Sequence, residues 1–265
     1  MLQQVINRRD LQAGNVKQFF GAANLDLYAR MNGNAIDEGM NNLAIVNNNA
    51  TPAPGFINSG YTFSANKYIS YGNYLAYERT QAFTIMAWFY RCSNANGYAI
   101  SKLTSSSPYR GFALYYSGTS LLFELANNTG SNYIRVNSPA NSLQSGRLYH
   151  VVSTYDGSST GAGVSLFING QGQDCAILAN SLSLTTIGTA ALEIGNRSAG
   201  EVAYYWNAPI NNVAIFNREL TPAEIGEYYA WSIGYPVRRL WAVPSSSLLP
   251  DMRSVNRRIF TGRAA

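Results

Sequence analysis

Few side chains in this sequence have the type and spacing that chemistry requires. The chain carries 14 Asp and Glu, one His and two Cys. Cleaving a glycosidic bond takes two carboxylates aimed into one cleft, which a strand supplies when acids stand two or four residues apart. No two of the 14 have that spacing; the nearest pairs are Asp37 with Glu38 and Glu224 with Glu227. His150 is the single imidazole, which excludes His-rich metal sites and any mechanism needing two imidazoles. Zinc-ligand spacing, a phosphate-cradling glycine loop and a Gly-x-Ser-x-Gly nucleophile turn are expected to be missing. Asp37 and Glu38 fall in the loop NGNAIDEGMNN, where clustered oxygens suit calcium, but one acidic pair without alternation reads better as an Asn/Gly turn. The expectation is no catalytic residue, no metal, no cofactor and no enzyme.

What remains is chemistry of recognition. Carbohydrate needs a flat apolar platform and several directed hydrogen bonds. Tyr109 and Arg110 in SPYRG, Tyr133 in ANNTGSNY, and Tyr204, Tyr205 and Trp206 in AGEVAYYWNAPI offer both, as candidate glycan-binding residues. A second kind of recognition is expected of the tail, residues 231–265. There Arg238, Arg239, Arg253, Arg257 and Arg258 alternate with Trp241, Phe260 and other apolar residues, a composition suited to lying extended on another protein surface.

These residues must be held by strands. Leu148 to Gly170, LYHVVSTYDGSSTGAGVSLFING, reads as a β-hairpin in the middle of a sheet. Tyr149, Val151, Ser153 and Tyr155 alternate with His150, Val152 and Thr154; Val164, Leu166 and Ile168 alternate with Ser165 and Phe167. Asn169-Gly170 closes the second arm in a positive-φ turn. Phe83 to Tyr90 is apolar on both faces and therefore central, with Trp88 read as core. His150, mid-strand, reads as structural. Ala99 to Lys102, Phe112 to Ser117, Leu121 to Leu125 and Tyr133 to Val136 follow as strands, with Leu121, Phe123 and Leu125 inward and Leu122 and Glu124 on the opposite face. Thr221-Pro222-Ala223-Glu224 starts a helix with a capping box, whose stripe is Ile225, Tyr228 and Tyr229 and which Gly234 ends.

The order and spacing of YHVVSTYDG, VSLFING, FTIMAWFYR, LEIGN and INNVAIFNRELTPAEI, across roughly Leu25 to Ala230, resemble the laminin-G-like, or concanavalin A-like, jelly-roll superfamily. The resemblance implies an all-β sandwich of two antiparallel sheets with one short C-terminal helix and extended terminal arms. It implies the division 1–24 arm, 25–230 jelly roll, 231–265 Arg-rich anchoring tail. Asn212 stands where family members often carry an acid, which puts a metal or catalytic role of that position in doubt.

Charge supports this division. Charged residues are 12% of the chain, about half an ordinary share. The net charge of +5 lies wholly in residues 234–265, which hold six Arg, Arg263 among them, and one acid, Asp251. Two cysteines, Cys92 and Cys175, make no disulfide framework and are expected free. MLQQVINRRDLQAGN lacks the apolar core of an export signal, and no stretch is long and apolar enough to span a membrane, so the sequons at Asn49, Asn127 and Asn196 read as chance. LTPAEI followed by YPVRRLWAVP also resembles the C-termini of laminin-G-like proteins of tailed bacteriophages. That implies a structural virion protein, assembled in the host cytoplasm into a symmetric particle. It would decorate or cement the head, with the major capsid protein or neighbouring subunits as partners and no membrane or specific nucleic-acid recognition. The alternative expectation is a tail- or fibre-associated adhesin for host-surface glycan.

Overall fold

The computed structural model describes residues 15–54, 59–104, 106–197 and 204–234. Its strands, in chain order, are β1 (Leu25–Ala29), β2 (Val46–Asn48), β3 (Thr51–Pro54), β4 (Ser59–Thr62), β5 (Tyr68–Ser70), β6 (Phe83–Tyr90), β7 (Asn96–Leu103) and β8 (Gly111–Ser117). They continue with β9 (Ser120–Asn128), β10 (Asn132–Asn137), β11 (Leu148–Tyr155), β12 (Val164–Ile168), β13 (Gln171–Gly172), β14 (Ala176–Asn180), β15 (Glu193–Ile194) and β16 (Pro209–Phe216). Helix α1 is Val16–Phe20 and helix α2 is Pro222–Ser232. Sheet 1 has the order β13-β12-β11-β6-β16-β4-β3, with β1 also paired to β16; sheet 2 has the order β14-β10-β9-β8-β7-β15-β5-β2. All the pairings between these strands are antiparallel, giving the expected concanavalin A-like sandwich.

The expected hairpin is present in register, Val151 opposite Ile168 and Tyr155 opposite Val164. Its period-2 alternation splits the apolar residues between two separate clusters. Tyr149, Val151, Tyr155, Val164, Leu166 and Ile168 join the core between the sheets, where Phe83 stacks on Tyr77 at 4.5 Å. Val152 and Phe167 join a second cluster on the outer face of sheet 1, roofed by Ile225 and Tyr228 of α2 and by Val16, Phe19 and Phe20. Two roofs over one central sheet explain why β6 and β11 are apolar on both faces. Trp88 is buried in that outer layer, 5.8 Å from the ring of Tyr229.

Helix α2 begins as the sequence predicts, with the Thr221 hydroxyl accepting from the Glu224 N–H and the Glu224 carboxylate accepting in return from the Thr221 N–H. Burial opposes ionisation of Glu224, but the Arg218 guanidinium and the Thr221 cap hold its carboxyl below the usual range. Tyr229 is half-buried rather than part of the buried stripe, and its Cβ lies against the Asn169-Gly170 turn. A Cβ on Gly170, whose φ is +77°, would come within 2.9 Å of it.

Residues 15–24, assigned by sequence to the N-terminal arm, form α1 and its exit and pack on the domain: Phe19 meets Tyr228 at 5.5 Å and Trp231 at 5.5 Å. The loop after β1 is organised by Asp37, whose carboxylate accepts from the N–H groups of Tyr28, Gly39 and Leu43. Its oxygens are used by the backbone, and Glu38 pairs with Arg30 at 2.7 Å. Cys92 and Cys175 are unpaired. No described helix is long and apolar enough to cross a membrane. The tail residues Arg238, Arg239, Trp241, Arg253, Arg257, Arg258, Phe260 and Arg263 lie outside the described residues.

Candidate functional site

Sheet 2 turns one face to the core and the other outward, and the outward residues line up in rows across its strands. Ladder pairing sets Glu193, Ser101, Ala113, Glu124 and Arg135 side by side on β15, β7, β8, β9 and β10. In the next row Tyr98 of β7 faces Tyr115 of β8, their rings stacked at 4.4 Å and parallel. On the other side Tyr133 of β10 faces Ala126 of β9. Because side chains alternate, Tyr133 and Arg135 share this face, and Glu124 shares it by the same count that puts Leu121, Phe123 and Leu125 inward.

Polar and ring contacts join these residues into one chain. Glu124 Oε2 accepts from the Tyr115 hydroxyl at 3.2 Å and from Arg135 Nε at 2.7 Å. The Arg135 guanidinium sits 5.0 Å from the centre of the Tyr133 ring. At the other end Arg197 follows β15, its carbonyl accepting from the Ser101 hydroxyl at 2.9 Å. Its guanidinium lies 4.0 Å from the Tyr204 ring, 5.0 Å from Tyr109 and 5.9 Å from Tyr98. Cation–π attraction at such distances contributes about 0.5–1 kcal/mol per contact at exposed sites. Burial pushes the Tyr98 phenol up to about 12 and that of Tyr115 further, so both stay neutral donors.

The rim beside this face is made by three loops. Tyr109 is held at φ +55° in a tight turn, its N–H donating to the Ser106 carbonyl while the Arg110 N–H donates to the Thr104 hydroxyl. The Arg110 side chain reaches the Asn127 carbonyl, and the Asn127 amide reaches the Thr185 carbonyl. Tyr109, Arg110, Tyr133, Arg135, Arg197 and Tyr204 are half-buried, presenting rings and guanidinium groups together. Tyr98, at 8% exposure, and Tyr115, at 6%, lie beneath them as a floor.

Of the six residues singled out for glycan by sequence, the structure gathers four here: Tyr109, Arg110, Tyr133 and Tyr204. The other two are not joined to it. Trp206 is fully buried between the sheets, 4.4 Å from Phe89 and 5.0 Å from Tyr116, and cannot stack on a sugar. Tyr205 is half-buried and makes none of the contacts that link this face. Tyr204 packs with Tyr98 and Arg197 while Trp206 packs in the core, so the cluster Tyr204 to Trp206 does not serve one surface. Tyr98, Tyr115, Glu124, Arg135 and Arg197 were missed as site residues. Arg135, two beyond Tyr133, and Glu124, already placed outward, carried the signal.

Two catalytic alternatives can be tested on geometry. Glu124 and Glu193 are buried acids of this face, but Ala113 and Ser101 stand between them. Three strand spacings put them about 14 Å apart, beyond the ~5–9.5 Å of a glycosidase pair. Against the expectation that the pattern is missing, Gly157-Ser158-Ser159-Thr160-Gly161 spells Gly-x-Ser-x-Gly. It connects two antiparallel strands instead of a strand and a helix, and the Ser159 hydroxyl bonds Arg79, with no imidazole partner. No group of three or more His, Cys, Asp or Glu that could hold a metal occurs among the described residues.

Solved structures share this architecture at low identity. The binding domain of Paraclostridial Mosquitocidal Protein 1 superposes with a TM-score of 0.62 at 16% identity, over 78% of this chain and 52% of that one. The Botulinum Neurotoxin serotype G binding domain gives 0.59 at 14% identity, over 78% and 50%. The Botulinum neurotoxin serotype D ligand binding domain in complex with N-acetylneuraminic acid gives 0.57 at 15% identity, over 78% and 50%. This chain therefore spans about half the length of those structures, and the likeness is one of fold. No curated protein matches in sequence. Residues 63–226, well over half of the chain and including β5 to β16, match the family described as the concanavalin A-like lectin/glucanases superfamily, and the chain belongs to that family.

Proposed function

We propose that the protein is a non-catalytic carbohydrate-binding module that contacts host-surface glycan through the outer face of sheet 2. The observation that carries this reading is the unbroken chain of contacts Tyr109–Arg197–Tyr98–Tyr115–Glu124–Arg135–Tyr133, with Tyr204 on Arg197. Rings offer faces to the C–H side of a pyranose, and guanidinium and phenol groups offer donors to its hydroxyls. The fold's solved neighbours named as binding domains, one with a bound sialic acid, support the same direction. The test is a glycan array on the intact chain, followed by titration of the best hit against Tyr109→Ala, Tyr133→Ala and Tyr204→Ala. Loss of binding in these variants with retention of the fold supports the reading; an array without hits, or binding untouched by all three, defeats it.

A second reading is favoured by a separate observation, the sequence of the tail. Six arginines interleaved with Trp241, Leu248, Leu249 and Phe260 suit attachment to neighbouring subunits of a tailed-phage virion, as a head decoration or accessory capsid protein. Since α2 runs to Ser232 and closes through Gly234, truncation after Gly234 should leave the domain folded and abolish incorporation into particles. Truncated protein found at full occupancy on purified virions would reject the anchoring role. The two readings are compatible, since a displayed module can be both anchored and adhesive.

A further inference from the structure

The second hydrophobic cluster contains a group that an apolar layer does not need. His150 on β11 is fully buried, and neither Nδ1 nor Nε2 has a hydrogen-bond partner among the described residues. It is walled by rings: Trp88 of β6 at 5.1 Å, and from α2 Tyr228 at 5.3 Å and Tyr229 at 5.9 Å. The other polar neighbours are uncharged. Asn211 of β16 lies across Trp88, and Asn169, from the turn after β12, bonds only the His150 backbone. The acid Glu219 touches Thr154, four residues further along β11 and about 13 Å away by strand rise. Among the described residues no carboxylate hydrogen-bonds the imidazole, and burial pushes it down to about 3.

Helix α2 is the wall of this chamber that takes part in no sheet ladder, and its apolar contacts belong to a cluster distinct from the core between the sheets. Lifting it would hydrate His150 while leaving β11, β6 and β16 paired.

We propose that α2 is an acid-released latch, held shut by a neutral His150 and opened, with the sandwich intact, when that imidazole takes up a proton. The sign follows from linkage. Once exposed, the imidazole regains its ordinary value near 6.5, so the open form binds the proton more tightly and acidification favours opening. Between pH 7.5 and 5.0 the opening equilibrium should rise about 30-fold.

The experiment is hydrogen exchange on the full chain at both pH values, corrected for intrinsic rates. Protection of 222–232 should fall about 30-fold while that of β6 and β9 holds. In His150→Phe, which keeps a ring but cannot titrate, protection of 222–232 should not change with pH. Because His150 is the only histidine, its ring resonances can be assigned in the wild type without that variant. They should stay those of a neutral imidazole in the closed form at pH 5.0. Unchanged protection of α2, loss of protection across the whole sandwich at once, or an imidazole already charged at pH 6 in the closed form would each overturn the proposal.

Discussion

At the scale of single residues, the outer face of sheet 2 separates side chains that hold the fold from those offered to a ligand. Tyr109→Ala is expected to weaken glycan binding about tenfold, or about 1.4 kcal/mol, with little change in Tm; isothermal titration and a thermal melt check both halves. Trp206→Ala should behave oppositely, costing about 3–5 kcal/mol of stability measured by urea unfolding, because it empties a site between Phe89 and Tyr116. Lys102 gives a third expectation. Its amine donates to Asn73 Oδ1 and the Ala190 carbonyl, and burial lowers it to about 8 from 10.5. The unfolded chain thus binds the proton more tightly, a cost that is relieved as pH rises from 8 to 10.5. Wild-type stability should therefore gain over that range relative to Lys102→Met, as urea titrations of both proteins at pH 7 and pH 10 would show. Which residues faced outward was legible wherever a strand alternated, as at Glu124. Arg197 was not, since it follows a two-residue strand with no period to count.

At the scale of elements, legibility followed burial. The hairpin β11–β12, the central β6 and the capped α2 could be read because their apolar patterns answer to a core. Strand β14 could not: Ile177 is 47% exposed and Leu178 55%, so its side chains obey no inward–outward rule, and a register shift against β10 breaks the count further. β2, β3 and β13 are similarly short or exposed. As an uncharged edge, β14 lacks the lysine or proline that usually discourages strand addition. Leu178→Lys should leave stability within about 0.5 kcal/mol and reduce any concentration-dependent association seen by analytical ultracentrifugation. Thr221→Ala removes one partner of the capping box and should cost about 1 kcal/mol, read by urea unfolding.

At the scale of the whole molecule, the sequence predicted the class of architecture and the β11–β12 pair, but not which strands distant in sequence become neighbours. The tyrosine face draws on β7, β8, β9 and β10 and on segments around 109, 197 and 204, brought together by ladders whose register no local pattern encodes. The pairing of β1 with β16 is of the same kind, and it has an architectural result. It brings α1 and α2 together on the outer side of sheet 1, with Phe19 touching Trp231. The described residues thus begin and end beside one another, on the wall opposite the tyrosines. A domain plumbed this way, cut to its described residues, can be spliced into a loop of a carrier protein without turning the tyrosines away from the solution.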